Sequence, residues 1–95
     1  MNYYALLYRV VEHYVERRAP FRELHLREAK AATERGELLL AGAFANPVDG
    51  ALLIFRAESR DVPENFARKD PYVLNGLVTS WEVRDWTVVV GSMAG

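Results

Sequence analysis

Two kinds of apolar patterning divide the chain: short runs rich in aromatic, aliphatic and β-branched residues, and a stretch whose apolar positions recur every three or four residues. Tyr3 to Val11 is built of tyrosine, leucine, valine and alanine with Arg9 as its one charge, and it reads as a mostly buried strand, central in a sheet. His13 to Arg18 is a short charged segment, a loop or a single turn, ahead of Pro20, whose missing N–H suits the first turn of a helix. From Pro20 to Gly36 the period is helical. At about 100° per residue, Phe21, Leu24, His25, Glu28, Ala29, Ala31 and Ala32 share one side, and Arg22, Glu23, Arg27, Lys30, Thr33 and Glu34 the other. His25 falls near the middle of the apolar arc. Gly36, free to take left-handed angles, ends the helix.

Glu37 to Ala45 is a second apolar run, followed by the turn-forming Asn46-Pro47-Val48-Asp49-Gly50, and Ala51 to Ala57 is a third; the pair predicts a hairpin. Ser59-Arg60-Asp61 offers capping side chains for a second, shorter helix over Val62 to Arg68, with Val62, Phe66 and Ala67 towards the sheet. Lys69 to Gly76 is a polar, proline-containing break with room for one turn, in which Asp70 is pushed to extended angles because it precedes Pro71. Leu77 to Val90 predicts a long fourth strand, or two strands broken near Asp85, and Gly91 to Gly95 a frayed tail. The order strand, helix, strand, strand, helix, strand predicts an α+β, ferredoxin-like βαββαβ subunit: an antiparallel sheet with two helices on one face. The bare face needs a cover. The economical one is the same face of a second copy, giving a homodimer through sheet faces, a dimeric α+β barrel with clefts between sheet and helices.

Composition narrows the function. Residues 1–95 make one domain, 51% hydrophobic and 26% charged, within the range of folded globular chains. The net charge of -1 and the lack of a basic run argue against nucleic-acid binding. No cysteine is present, which removes disulfides, thiolate catalysis and cysteine-held metal together. No apolar stretch is long enough for a membrane span, and Met1 leads straight into a strand-like run, so no membrane association and a cytoplasmic location are expected. His13, His25 and the scattered carboxylates lack ligand spacing, and there is no glycine-rich phosphate loop or nucleophile elbow, so neither a metal nor a cofactor is expected.

His25 and Asp70 are the residues able to carry chemistry. An imidazole in an apolar arc must find a hydrogen-bond partner, and the topology lets the loop after the second helix approach the first. A histidine–carboxylate pair would fix the ring's tautomer and suit proton transfer near neutral pH. The alternative is a core histidine tied to a backbone group and an aspartate capping its own turn.

Three stretches carry a resemblance: Arg22-Glu23-Leu24-His25-Leu26, Gly36-Glu37-Leu38-Leu39-Leu40-Ala41-Gly42, and Asp70-Pro71-Tyr72-Val73-Leu74-Asn75-Gly76-Leu77-Val78. In this order they resemble the signature segments of the YciI-like (YCII-related) proteins over nearly the whole chain. The resemblance implies a dimeric α+β barrel and an active site on a first-helix histidine and the aspartate of an Asp-Pro-Tyr/Phe motif, which map to His25 and Asp70. It also matches Arg22 to an arginine that often precedes the histidine. Gly50-Ala51 stands where the family often has Gly-Ser, so a hydroxyl there is lost, and Trp81 to Trp86 looks like a subgroup feature. The wider superfamily includes muconolactone isomerases and small monooxygenases. The implied function is proton transfer of isomerase or lyase type on a small aromatic or carboxylate-bearing metabolite, with Arg22 on an anionic group. Beside the resemblance, two further residues are candidate substrate contacts: Tyr72, lining the cleft, and Ser80, facing the dimer cavity with Trp81 and Trp86. A non-catalytic metabolite-binding or regulatory dimer is the alternative, and a subunit of a larger complex a third.

Overall fold

Side chains that alternate along a strand must go to opposite faces, and in the first strand the even positions Tyr4, Leu6 and Tyr8 are the buried ones. In the computed structural model, which describes residues 1–92, that strand is β1 (Asn2–Val10), followed by α1 (Tyr14–Arg18), a 3-10 turn over Ala19–Phe21, and α2 (Arg22–Glu34). Then come β2 (Leu38–Ala43), β3 (Gly50–Ala57), α3 (Asp61–Lys69), the single turn α4 (Pro71–Leu74) and β4 (Val78–Trp86). The strands form one antiparallel sheet in the order β2-β3-β1-β4. The expected ferredoxin-like α+β fold is therefore present, with β1 central.

The register assembles the core. Leu6 pairs with Leu53 on one side and Val83 on the other, Tyr4 with Phe55, and Tyr8 with Ala51, so one face of three strands carries a contiguous apolar surface. Phe66 and Ala67 of α3 and Ala32 of α2 close over it, and the rings of Phe55 and Phe66 meet edge-on at 5.3 Å. Arg60 ties the start of α3 to β4 through Asp85 at 3.1 Å and through the carbonyl of Val83. The opposite sheet face carries Leu7 and Leu52, half-buried, and the exposed Leu40 and Trp86, with Arg9, Glu82 and Arg84 among them. Among the described residues, no helix is long and apolar enough to cross a membrane.

Several expected boundaries move. His13 to Arg18 is helical from Tyr14 and runs through the 3-10 turn into α2, so Pro20 lies within a helical path instead of opening it. The buried side of α2 is rotated: Leu24 is 48% exposed and Glu28 is exposed, while His25, Ala29 and Ala32 face inward. A carboxylate without a partner stays in water, and the arc turns about the bonds of His25. The fourth strand stops at Trp86 without a break at Asp85, and Val89 and Val90, both 84% exposed, lie beyond it. Of the tail expected to fray, residues 93–95 lie outside the described residues.

Gly50 opens β3 where the chain has no room for a side chain. A Cβ there would stand 2.6 Å from the carbonyl oxygen of Tyr8 and 3.2 Å from the Phe44 ring. Replacing Gly50 with alanine is therefore expected to force the end of β1 away and to cost about 1–3 kcal/mol, in the range of overpacking substitutions, read as a lowered urea midpoint with an unchanged denaturant slope.

Candidate active site

Pro71 dictates where the site begins. It holds Asp70 at φ -64° and ψ 123°, between α3 and α4, and the Asp70 side chain folds forward to cap α4. The carboxylate is 0% exposed. A buried carboxylate is tolerated only when hydrogen-bond donors replace water, and Asp70 has three of them. Oδ1 accepts from the backbone N–H of Tyr72 at 2.9 Å and from Nδ1 of His25 at 2.8 Å, and Oδ2 accepts from the hydroxyl of Tyr8 at 2.7 Å. One side chain thus joins β1, α2 and α4.

The bond to His25 selects a tautomer. With Asp70 accepting throughout, the proton of the neutral ring belongs on Nδ1. Nε2, which has no hydrogen-bond partner among the described residues, is then the nitrogen left for the cleft that His25 lines. The His25 side chain is 14% exposed. Its ring lies parallel to that of Tyr72, centroids 3.9 Å apart and planes 10° from coplanar. Tyr14 meets Tyr72 edge-on at 5.7 Å, and the Arg18 guanidinium sits 5.1 Å above the Tyr14 ring. This column leaves the imidazole few ways to turn.

The cleft measures about 180 Å³ and lies between α2 and the sheet. Tyr14, Arg18 and Arg22 reach it from the helical side, and Tyr8, Ala41 and Ala51 form part of the sheet side. Burial, and then the charge and hydrogen bond of Asp70, hold the Tyr8 hydroxyl far above the usual tyrosine range, so it is a donor at any physiological pH. Burial also raises Tyr14 and Tyr72, against the opposing pull of Arg18 and Arg22.

Of the five residues singled out in the sequence, four converge. His25 and Asp70 are bonded, Tyr72 stacks on His25, and Arg22 lines the cleft although helical periodicity put it on the polar side. Ser80 does not join them. It pairs with Arg9 in the register, on the sheet face turned away from the helices, and is exposed there. Sequence reasoning missed Tyr8, Tyr14 and Arg18. The signals were a phenol at a core position of β1, which needs a hydrogen-bond partner, and the helical spacing of Tyr14, Arg18, Arg22 and His25, which Pro20 interrupts on paper.

The family model described as the YCII-related domain matches residues 1–87. Among solved structures, the chain is similar to 5-chloro-2-hydroxyhydroquinone dehydrochlorinase from Burkholderia phenoliruptrix AC1100 in complex with 2,5-dihydroxybenzoquinone. The TM-score is 0.74 at 19% identity, over 90% of this chain and 93% of that one. It is also similar to protein Atu4242 from Agrobacterium tumefaciens, with a TM-score of 0.60 at 18% identity over 94% of each chain. No curated protein matches the chain. At these identities the two structures speak for the fold.

Two substitutions separate the parts of the buried network. Asp70→Asn keeps an oxygen facing both His25 and Tyr72, so it should fold and keep the Nδ1–H tautomer, visible in ¹⁵N spectra of the ring. Asp70→Ala strands three donors and should cost about 2–4 kcal/mol in urea unfolding. Tyr8 makes stability depend on alkaline pH. Its proton is held more tightly in the folded chain than in the unfolded one, where the hydroxyl has its ordinary value near 10, so its contribution is complete below that pH and is lost as pH rises above it. Tyr8→Phe should therefore lower stability at neutral pH by about 1–3 kcal/mol and flatten the decline above pH 10, measured by urea unfolding across the alkaline range.

Proposed function

Because the chain belongs to the YCII-related domain family, we propose that it is an enzyme that moves a proton on a small aromatic or carboxylate-bearing metabolite, of isomerase or lyase type. His25 is the base and Asp70 orients it. The observation that carries this reading is the saturated, buried carboxylate on Nδ1 of a ring that lines the cleft and whose Nε2 has no hydrogen-bond partner among the described residues.

The chemistry follows from that arrangement. Nε2 takes a proton from a C–H or O–H of the bound molecule, and the electron pair stays on the substrate as an enolate or phenolate. The imidazolium so formed keeps its Nδ1–H on Asp70, whose charge stabilises it without taking the proton. Return of the proton to a different atom is an isomerisation. Departure of a leaving group with its electron pair from the adjacent carbon is an elimination. The dehydrochlorinase named among the structural neighbours carries out a reaction of the second kind by its name, which supports the reaction type here.

The same reading includes a homodimer through the open sheet faces. Its support is the apolar strip on that face, where Leu40 and Trp86 are exposed beside the half-buried Leu7 and Leu52, among the charges of Arg9, Glu82 and Arg84. Sedimentation should show a dimer, and Leu52→Arg on that face should convert it to monomer.

A reaction-neutral assay tests the enzyme reading. Candidate hydroxyquinones, aromatic carboxylates and lactones are incubated in D₂O and followed by NMR for deuterium uptake, isomerisation or elimination. His25→Ala should lower the rate by about 10²- to 10⁴-fold, the usual worth of a positioned acid–base group, assayed well below its melting temperature, which falls because Asp70 loses a donor. Asp70→Asn should lower it by less. Full turnover by His25→Ala would sink the proposal.

A further inference from the structure

The chain as a whole carries thirteen acidic and twelve basic residues, but its cleft does not share that balance. No aspartate or glutamate lines it, whereas Arg18 and Arg22 both do. Asp70 behind the cleft is saturated by its three donors. Among the described residues, neither arginine takes part in an ion pair, so neither charge is neutralised by a carboxylate. Arg18 is held by the face of Tyr14, and the 3-10 turn over Ala19–Phe21 brings it into the cleft with Arg22, one helical turn on. Two unneutralised guanidinium groups beside a half-buried base form an anion-binding edge.

Size limits what that anion can be. A cavity of about 150 Å³ accepts benzene, so about 180 Å³ holds one ring with a small substituent. A nucleotide or an acyl thioester carrier would leave most of its atoms outside the walled volume. Ala41 and Ala51 keep the sheet-side wall low, so a flat ring can lie against it.

The geometry points to a single-ring organic anion as the ligand: Arg18 and Arg22 hold its carboxylate or ionised hydroxyl, its ring lies against Ala41 and Ala51, and its far edge faces His25. Arg18 is thereby a specificity-determining residue alongside Arg22. This rests on the proposed function only in placing the substrate in the same cleft.

Binding, measured without turnover, tests it. Calorimetric titration of the full chain uses benzoate, its neutral counterpart benzamide, and the two-ring 2-naphthoate. Benzoate should bind about tenfold or more tightly than benzamide, a difference of the order of one charge-assisted contact, and 2-naphthoate, whose second ring lies outside the walls, should bind no more tightly than benzoate. Arg18→Gln and Arg22→Gln should each weaken benzoate about tenfold and leave benzamide unchanged. Ala41→Phe, which fills the cleft, should abolish both, and His25→Ala should keep the benzoate preference. Equal affinity for benzoate and benzamide, absence of benzoate binding, or indifference of benzoate to the Arg18 and Arg22 substitutions each overturns the anion site and leaves the proton-transfer reading standing. Full turnover by His25→Ala with benzoate preference intact overturns the latter and leaves the anion site.

Discussion

Everything in this molecule that resembles a site depends on a carboxylate placed where water cannot reach it. Asp70 is fully buried, and an ionised side chain in that position must be surrounded by donors or it destabilises the fold. The donors come from three separate elements: the Tyr8 hydroxyl on β1, the His25 ring on α2 and the Tyr72 N–H that opens α4. Each is positioned by a different local rule. Tyr8 is buried by strand alternation, His25 by the inward side of a helix, and Tyr72 by the cap that a pre-proline aspartate supplies. The network forms where these rules intersect, and it fixes how α2 sits over the sheet.

The fold was legible because its determinants are local. Alternation, the 3.6-residue period, and the punctuation by Pro20, Gly36, Gly50 and Pro71 predict the order of elements and hence the βαββαβ topology. His25 and Asp70 were legible for a related reason: one is a titratable ring in an apolar arc, the other a carboxylate denied helical angles by the residue after it. What stayed hidden is long-range. Tyr8 meets Asp70 across 62 positions, and nothing near Tyr8 in the chain announces that partner. Arg18 and Tyr14 were obscured because a proline was read as the start of a helix when it lies within a 3-10 passage between two helical segments. Leu24 was assigned inward by the helical period, and it is outward because polar bonds set the roll of α2. Ser80 was a candidate to face the dimer cavity, and strand parity puts it on the open sheet face, apart from His25 and Asp70.

The two faces of the sheet are linked mechanically even though they differ chemically. β1 presents Tyr8 to the cleft and, one residue earlier and later, Leu7 and Arg9 to the opposite side. β3 does the same with Ala51 and Leu53 against Leu52. A second copy packed on the open face, as proposed, would therefore press on the backs of the same strands that form the floor of the cleft. Covering that face would stiffen the position of Tyr8, and through it the carboxylate, without any residue of the partner entering the site.

A packing account and a functional account of the Tyr8–Asp70–His25 set make different demands. If the purpose were only to pin β1, α2 and α4 together, apolar side chains of similar volume would serve as well or better, since buried ionic groups seldom repay their loss of water against a hydrophobic replacement. The alternative reading of the sequence, an aspartate capping its own turn, is met in full by the bond to Tyr72 N–H. It leaves the phenol, the imidazole and the second carboxylate oxygen unaccounted for. What the polar set adds is a ring locked by Asp70 on one nitrogen and stacked on Tyr72 across its face, lining a cleft edged by two arginines that take part in no ion pair among the described residues. Stability does not require a basic atom to be left free in that place, and proton transfer does.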